Sequence, residues 1–216
     1  TATMDELNTS IIMESAQEAL ERLKEGNLRF QADVRGLHSH PSQERRSELV
    51  SGQTPFAILL GCSDSRVPGE LIFDQGLGDL FVIRVAGNIV APSQIGSVEF
   101  AASQFGTPLV VVMGHSMCGA VQATLDQLET PQENRSPNLR SIVNRIRPAV
   151  ETLVEAESGK SPEELLEIAI RANIRASVNQ LRNGSAILES LIQDNGLMVV
   201  GAEYSLETGV VDFLDV

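Results

Sequence analysis

Cys62 stands in Gly61-Cys62-Ser63-Asp64-Ser65-Arg66 and Cys118 in Gly114-His115-Ser116-Met117-Cys118-Gly119, and the chain has no third cysteine. His115 and Cys118 set an imidazole and a thiolate three positions apart. Cys62 and Asp64 add a second thiolate and a carboxylate from a separate segment. Two thiolates, one imidazole and a fourth oxygen ligand suit tetrahedral Zn²⁺. Taken singly, each cysteine also reads as a small core residue and His115 as a hydrogen-bonded loop residue; the joint placement is what points to a metal. A cysteine nucleophile paired with His115 would use the same side chains but leave Asp64 and Arg66 without a task. A zinc nucleobase deaminase would need His-x-Glu and Pro-Cys-x-x-Cys, which are not in this sequence. Gly76-Leu77-Gly78-Asp79-Leu80-Phe81 starts like a dinucleotide fingerprint, yet it lacks the third glycine and precedes a strand instead of opening a helix.

Both cysteines directly follow apolar runs of strand length. Phe56 to Leu60, Phe81 to Val85 and Leu109 to Met113 are continuous rather than alternating, the pattern of strands covered on both faces. Helical candidates lie between and after them at Pro68 to Phe73, Ser93 to Phe105 and Cys118 to Leu128. This alternation calls for an α/β fold, a mostly parallel central sheet flanked by helices. In such a sheet ligands bind beyond the carboxyl ends of the strands, where both cysteine motifs fall. Ahead of the first strand, residues 1–50 read as an N-terminal helical arm: Ile12, Ala16, Ala19, Leu20, Leu23 and Phe30 recur at helical spacing, and a short helix from Ser42 to Val50 follows. Thr130 to Asn138 is a break too short for a domain linker. Helices then run to Gln193, one opening at Ser161-Pro162-Glu163-Glu164, a capping signature. A C-terminal strand pair, Leu197 to Tyr204 and Val210 to Leu214, turns at Glu207-Thr208-Gly209. Residues 1–216 are thus read as a single domain.

A formal charge of −13 and only two lysines, Lys24 and Lys160, argue against nucleic acid and against an anionic membrane surface as partners. No stretch reaches the ~20 apolar residues of a bilayer span. Two cysteines in 216 residues are no disulfide framework, and Thr1 to Asn8 lacks the basic start and apolar run of a secretory signal, so a reducing, cytoplasmic setting is expected.

Cys62-Ser63-Asp64-Ser65-Arg66-Val67-Pro68, about fifty residues ahead of Gly114-His115-Ser116-x-Cys118-Gly119, resembles the β-class carbonic anhydrases over roughly Ala16 through Leu214. The resemblance implies a zinc enzyme that interconverts carbon dioxide and bicarbonate by hydroxide attack on CO2, assembled as a homodimer or a dimer of dimers. It assigns Cys62, His115 and Cys118 as zinc ligands and Asp64 with Arg66 as the catalytic dyad. It places Gln53, Phe81 and Phe100 in the substrate pocket, reached from across a subunit interface; plant members carry tyrosine where Phe100 stands. The backbone N–H of Gly119, at a helix start, can take a bicarbonate oxygen. In a closed state Asp64 would leave Arg66 and become the fourth ligand. Some members pair that state with a bicarbonate pocket of Trp, Arg and Tyr. Arg84 and Tyr204 match two of those positions, but Leu59 replaces the tryptophan, so regulation through the pocket is expected to be absent or weak. His38 and His40 read as surface-loop residues. Two alternatives stay open: a same-fold carbonyl sulfide or carbon disulfide hydrolase, and a non-catalytic, zinc-stabilised assembly subunit.

Overall fold

A computed structural model describes residues 14–130, 136–157 and 159–214. The chain runs α1 (Ala16–Gln31), α2 (Gln43–Glu48), β1 (Ala57–Gly61), α3 (Gly69–Ile72), β2 (Leu80–Arg84), α4 (Pro92–Gln104), β3 (Leu109–His115), α5 (Gly119–Glu129), α6 (Pro137–Ala156), α7 (Pro162–Asn183), α8 (Ala186–Asn195), β4 (Met198–Tyr204) and β5 (Val211–Leu214), with 3₁₀ turns at Leu37–Ser39, Leu49–Ser51 and Ala86–Asn88. The five strands lie in the order β2-β1-β3-β4-β5, parallel except for the β4–β5 pair. This is the mostly parallel α/β sheet expected from the alternation of apolar runs.

β3 explains why the sheet holds. All seven of its residues, Leu109 to His115, are buried, because helices cover both faces and strands flank both edges. Each buried aliphatic side chain of that kind contributes ~1.5–3 kcal/mol of transfer free energy. A carboxylate in place of Val111, which is fully buried, would find no partner there. Helix α7 lies close on the sheet because Ile174 sits over Gly114 and Gly201; a Cβ at either would stand 2.7 or 2.8 Å from that side chain.

Helix starts follow the capping chemistry of the sequence. Ser15 and Glu18 form a capping box on α1, as do Ser161 and Glu164 on α7, where Pro162 takes the first helical position. The capped start places α1 at Ala16; residues 1–13 of the expected arm, Ile12 among them, lie outside the described residues, as do 131–135 of the expected loop. The arm's stripe of Ala16, Ala19, Leu20 and Leu23 is buried on its own chain.

The apolar run at 81–85 was expected to be covered on both faces, but β2 is an edge strand whose Leu80 to Ile83 are only partly buried and whose Arg84 is exposed. A continuous apolar run reports how much surface needs covering; it does not say that the same chain covers it.

Candidate metal centre

The carboxyl ends of β1 and β3 are adjacent, and their next residues carry the expected ligands. Cys62 follows β1 directly, His115 is the last residue of β3, and Cys118 caps α5. Between them Met117 adopts a left-handed conformation (φ 57°), a tight reversal that turns His115 and Cys118 towards one point. The Cys62 and Cys118 sulfurs and a ring nitrogen of His115 lie within 4.8 Å of one another, and all three residues are at least 95% buried.

The cluster is prepared to receive a cation. His115 Nδ1 sits 2.8 Å from the Ser116 carbonyl, which fixes the Nδ1–H tautomer and leaves Nε2 as the lone-pair nitrogen. That Nε2 is buried and has no hydrogen-bond partner. An orphaned buried acceptor among two thiols is costly unless something electrophilic occupies the gap, and the donor set is that of zinc. The neighbouring Cys118 thiol holds the Cys62 thiol below its usual range against the opposing cost of burial. The same neighbour, with burial, pushes Cys118 up. Burial pulls His115 down, but the Cys62 sulfur and the Ser116 carbonyl outweigh it and raise it. Backbone N–H groups at the start of α5 favour the Cys118 thiolate.

Asp64 borders the cluster, its Oδ2 3.8 Å from His115 Nε2. Arg66 grips the carboxylate through Nε to Oδ1 at 2.9 Å and Nη2 to Oδ2 at 2.7 Å, while the Arg66 backbone N–H donates to Oδ1 at 2.9 Å. This bidentate pair holds Asp64 well below the usual carboxylate range despite its partial burial. The Asp64 of this structure is therefore the arginine-paired form.

Arg84 has a structural engagement that its expected regulatory role did not include. Its Nε donates to the Cys62 carbonyl at 2.9 Å and its Nη2 to the Asp64 carbonyl at 2.6 Å, tying the loop after β1 to β2. Tyr204, buried, faces Phe30 with ring centroids 6.3 Å apart, and β1 and β3 lie between its strand and that of Arg84. Leu59 is buried against Gly69. Gly119 opens α5, exposed, with nothing within 4 Å of where a Cβ would stand.

The remaining pocket candidates are not brought to the cluster within one chain. Phe81 pairs in register with Ile58, three positions before Gly61, or ~10 Å down the strand. It packs with Phe100 and Phe105, centroids 6.2 and 6.1 Å away, and Phe100 remains 52% exposed. Gln53 lines an open cavity of about 670 Å³ with Val50, Leu77 and Phe105. His40 is exposed, and the His38 side chain lies outside the described atoms. Sequence reasoning missed Asn173 and Ser177, two buried polar residues of α7 that touch the turn beside Cys62. The available signal was two hydrogen-bonding side chains four residues apart on an apolar helix face.

The family model described as carbonic anhydrase matches residues 57–211. A carbonic anhydrase of Mycolicibacterium smegmatis is 39% identical over 198 residues, covering 90% of this chain and 91% of its own. A crystal structure of a β-carbonic anhydrase of Aspergillus fumigatus superposes with a TM-score of 0.73 at 27% identity, covering 92% of this chain and 90% of that one. A β-carbonic anhydrase of Sordaria macrospora, described as tetrameric, gives 0.72 at 25% identity, covering 79% and 86%.

Proposed function

This chain belongs to the carbonic anhydrase family, and from that premise we propose that residues 1–216 work as one unit that hydrates carbon dioxide to bicarbonate and a proton at the cluster of Cys62, His115 and Cys118. The observation that carries the reading is the buried, unpartnered Nε2 of His115 between two sulfurs, facing a carboxylate that an arginine keeps ionised.

Cys62, His115 and Cys118 would hold zinc, which when bound supplies the Lewis acidity that lets water attack at neutral pH. Two thiolates cancel the ion's charge and blunt that acidity, so the neighbouring side chains carry more of the burden. Asp64 Oδ2, on the cluster side of the carboxylate, accepts a hydrogen bond from the attacking water and turns its free lone pair towards carbon. Arg66 keeps Asp64 an acceptor. The Gly119 N–H, at the positive end of α5 and under open space, takes a bicarbonate oxygen. If Asp64 released Arg66, its carboxylate, 3.8 Å from His115 Nε2, would be placed to join Cys62, His115 and Cys118 in holding the ion, the closed state.

Gln53, Phe81 and Phe100 complete the pocket of a neighbouring copy, which makes the working form a homodimer or a dimer of dimers. The half-open β2 edge, the exposure of Phe100 and the tetrameric relative support this. Bicarbonate regulation through Arg84 and Tyr204 is absent or weak, because Arg84 is committed to two carbonyls and the family resemblance sets Leu59 where those members carry tryptophan. Unpaired thiols suit a reducing cytoplasm, and among the described residues no helix is long and apolar enough to cross a membrane.

Elemental analysis and a stopped-flow hydration assay test the reading. The expected result is stoichiometric zinc and carbon dioxide hydration lost on chelation. Zinc-loaded protein that hydrates no carbon dioxide, or that turns over carbonyl sulfide in preference to it, overturns the assignment.

A further inference from the structure

The Gly87 N–H points at Cys62 Sγ, 3.3 Å away. Gly87 (φ 72°) and Asn88 (φ 43°), successive residues in the left-handed region, are the two residue types that enter it most readily, and the Asn88 N–H closes the turn on the Val85 carbonyl at 3.0 Å. Only glycine fits at 87, since a Cβ would lie 2.8 Å from Ile146 and 3.0 Å from Ala120.

Two side chains on the buried face of α7 hold this turn. Asn173 Nδ2 donates to the Gly87 carbonyl at 2.8 Å and Ser177 Oγ donates to the Asn88 carbonyl at 3.0 Å. Both residues are at least 96% buried, on a face otherwise made of Leu166, Ala169, Ile170, Ile174, Val178 and Leu181. Aliphatic residues would pack there without the cost of burying polar groups, so the pair is explained by what it holds. The backbone is the object held: the Asn88 Nδ2 itself has no partner.

We propose that Asn173 and Ser177 are positioning residues of the metal centre, clamping the 87–88 carbonyls from α7 so that the Gly87 N–H stays on Cys62 Sγ. The inference rests on the zinc reading of the cluster. An N–H dipole aimed at a ligating sulfur draws electron density from it, so the ion receives less charge and remains the stronger Lewis acid. With the clamp removed, the turn relaxes, the N–H leaves, and Cys62 becomes a richer, less fixed donor.

The test uses zinc-loaded and cobalt-substituted enzyme carrying Asn173→Leu or Ser177→Ala, with Ser177→Thr as the variant that keeps the hydroxyl. Ile174→Val, on the same face but without a bond to the turn, controls for loosened packing. The expected outcome is a shift of the thiolate-to-cobalt charge-transfer absorption to lower energy and a ~10-fold faster loss of zinc to a chelator in N173L, a smaller change of the same sign in S177A, and none in S177T or I174V. Bands and zinc-loss rates in N173L and S177A that match wild type overturn the proposal, as does an equal shift in I174V. If N173L fails to fold, S177A against S177T decides. Wild-type protein that takes up neither metal would instead break the zinc reading itself.

Discussion

The carboxyl end of the sheet and the aromatic patch at its β2 edge are both made from residues that the family resemblance assigns to one active site, but they are finished to different degrees. Around Cys62, His115 and Cys118 the loops are tied by Arg84 to two carbonyls, by Arg66 to Asp64, and by α7 to the 87–88 turn. At the other place, Phe81, Phe100 and Phe105 stack on one another while Phe100 stays half in water and Gln53 lines an open cavity. Metal chemistry tolerates little displacement, so its frame is built within one chain. A wall for an apolar substrate can come from a second copy, whose docking covers the apolar surface at the same time.

Removing a ligand tests the first region most severely. His115→Ala should abolish stoichiometric zinc and reduce hydration to background, read by elemental analysis and stopped flow, because it removes the cluster's nitrogen donor, the buried and unpartnered Nε2. Asp64→Asn should come next, keeping zinc bound while kcat falls by ~10–100-fold. An amide can turn its NH2 towards the attacking water and is no longer held by a charge-assisted fork. Unchanged turnover in that variant would favour an assembly role over catalysis. The second region is tested by Phe100→Arg. A charge on the exposed aromatic edge should weaken self-association by ~30-fold, about 2 kcal/mol, seen by sedimentation, with hydration falling at dilutions where the chain becomes monomeric. A variant that stays oligomeric and fully active would mean that the patch is not the shared wall.

The same contrast governs what the sequence discloses. Polar ligand types at close spacing, each just after an apolar run, are legible because the chain's own topology brings strand ends together. Cys62, Asp64, Arg66, His115 and Cys118 accordingly stand where the motifs put them. The mostly parallel sheet follows from the alternation of apolar runs and helices, and the last strand pair from the Glu207-Thr208-Gly209 turn, with boundaries shifted by a residue at β1 and β2, whereas the strand order came only from the structure. Phe81 was less legible, because hydrophobicity cannot separate burial under a helix from burial under a partner. Asn173 and Ser177 were hidden for another reason: their partners are backbone carbonyls 86 and 89 residues away, which no side-chain pattern encodes.

The smallest effect belongs to a charge at the metal end of the sheet that none of the ties to the metal loops involves. Glu203 on β4 accepts from Arg171 Nε at 2.6 Å, and Arg171 also reaches Asp212 at 2.9 Å. Burial, helped by the like charges of Asp212 and Glu167, pushes the Glu203 carboxyl above its ordinary 4.5 against the pull of Arg171. Arg171 by contrast is raised, its two carboxylates outweighing its own burial, as if the pair were favourable. The Glu203 side governs, since its side chain is 12% exposed against 43% for Arg171. An acid whose folded-state value is raised costs stability on ionising. Wild type should therefore lose stability relative to Glu203→Gln as pH rises from about 4.5 through that higher folded-state value. The gap should then stay constant at neutral pH and be small, since burial and pairing act on Glu203 in opposite directions. Thermal melts of both proteins across that range read it directly. A wild type that gains on E203Q with rising pH would show that the ion pair stabilises the polar end and that Arg171 and Glu203 belong to its frame after all.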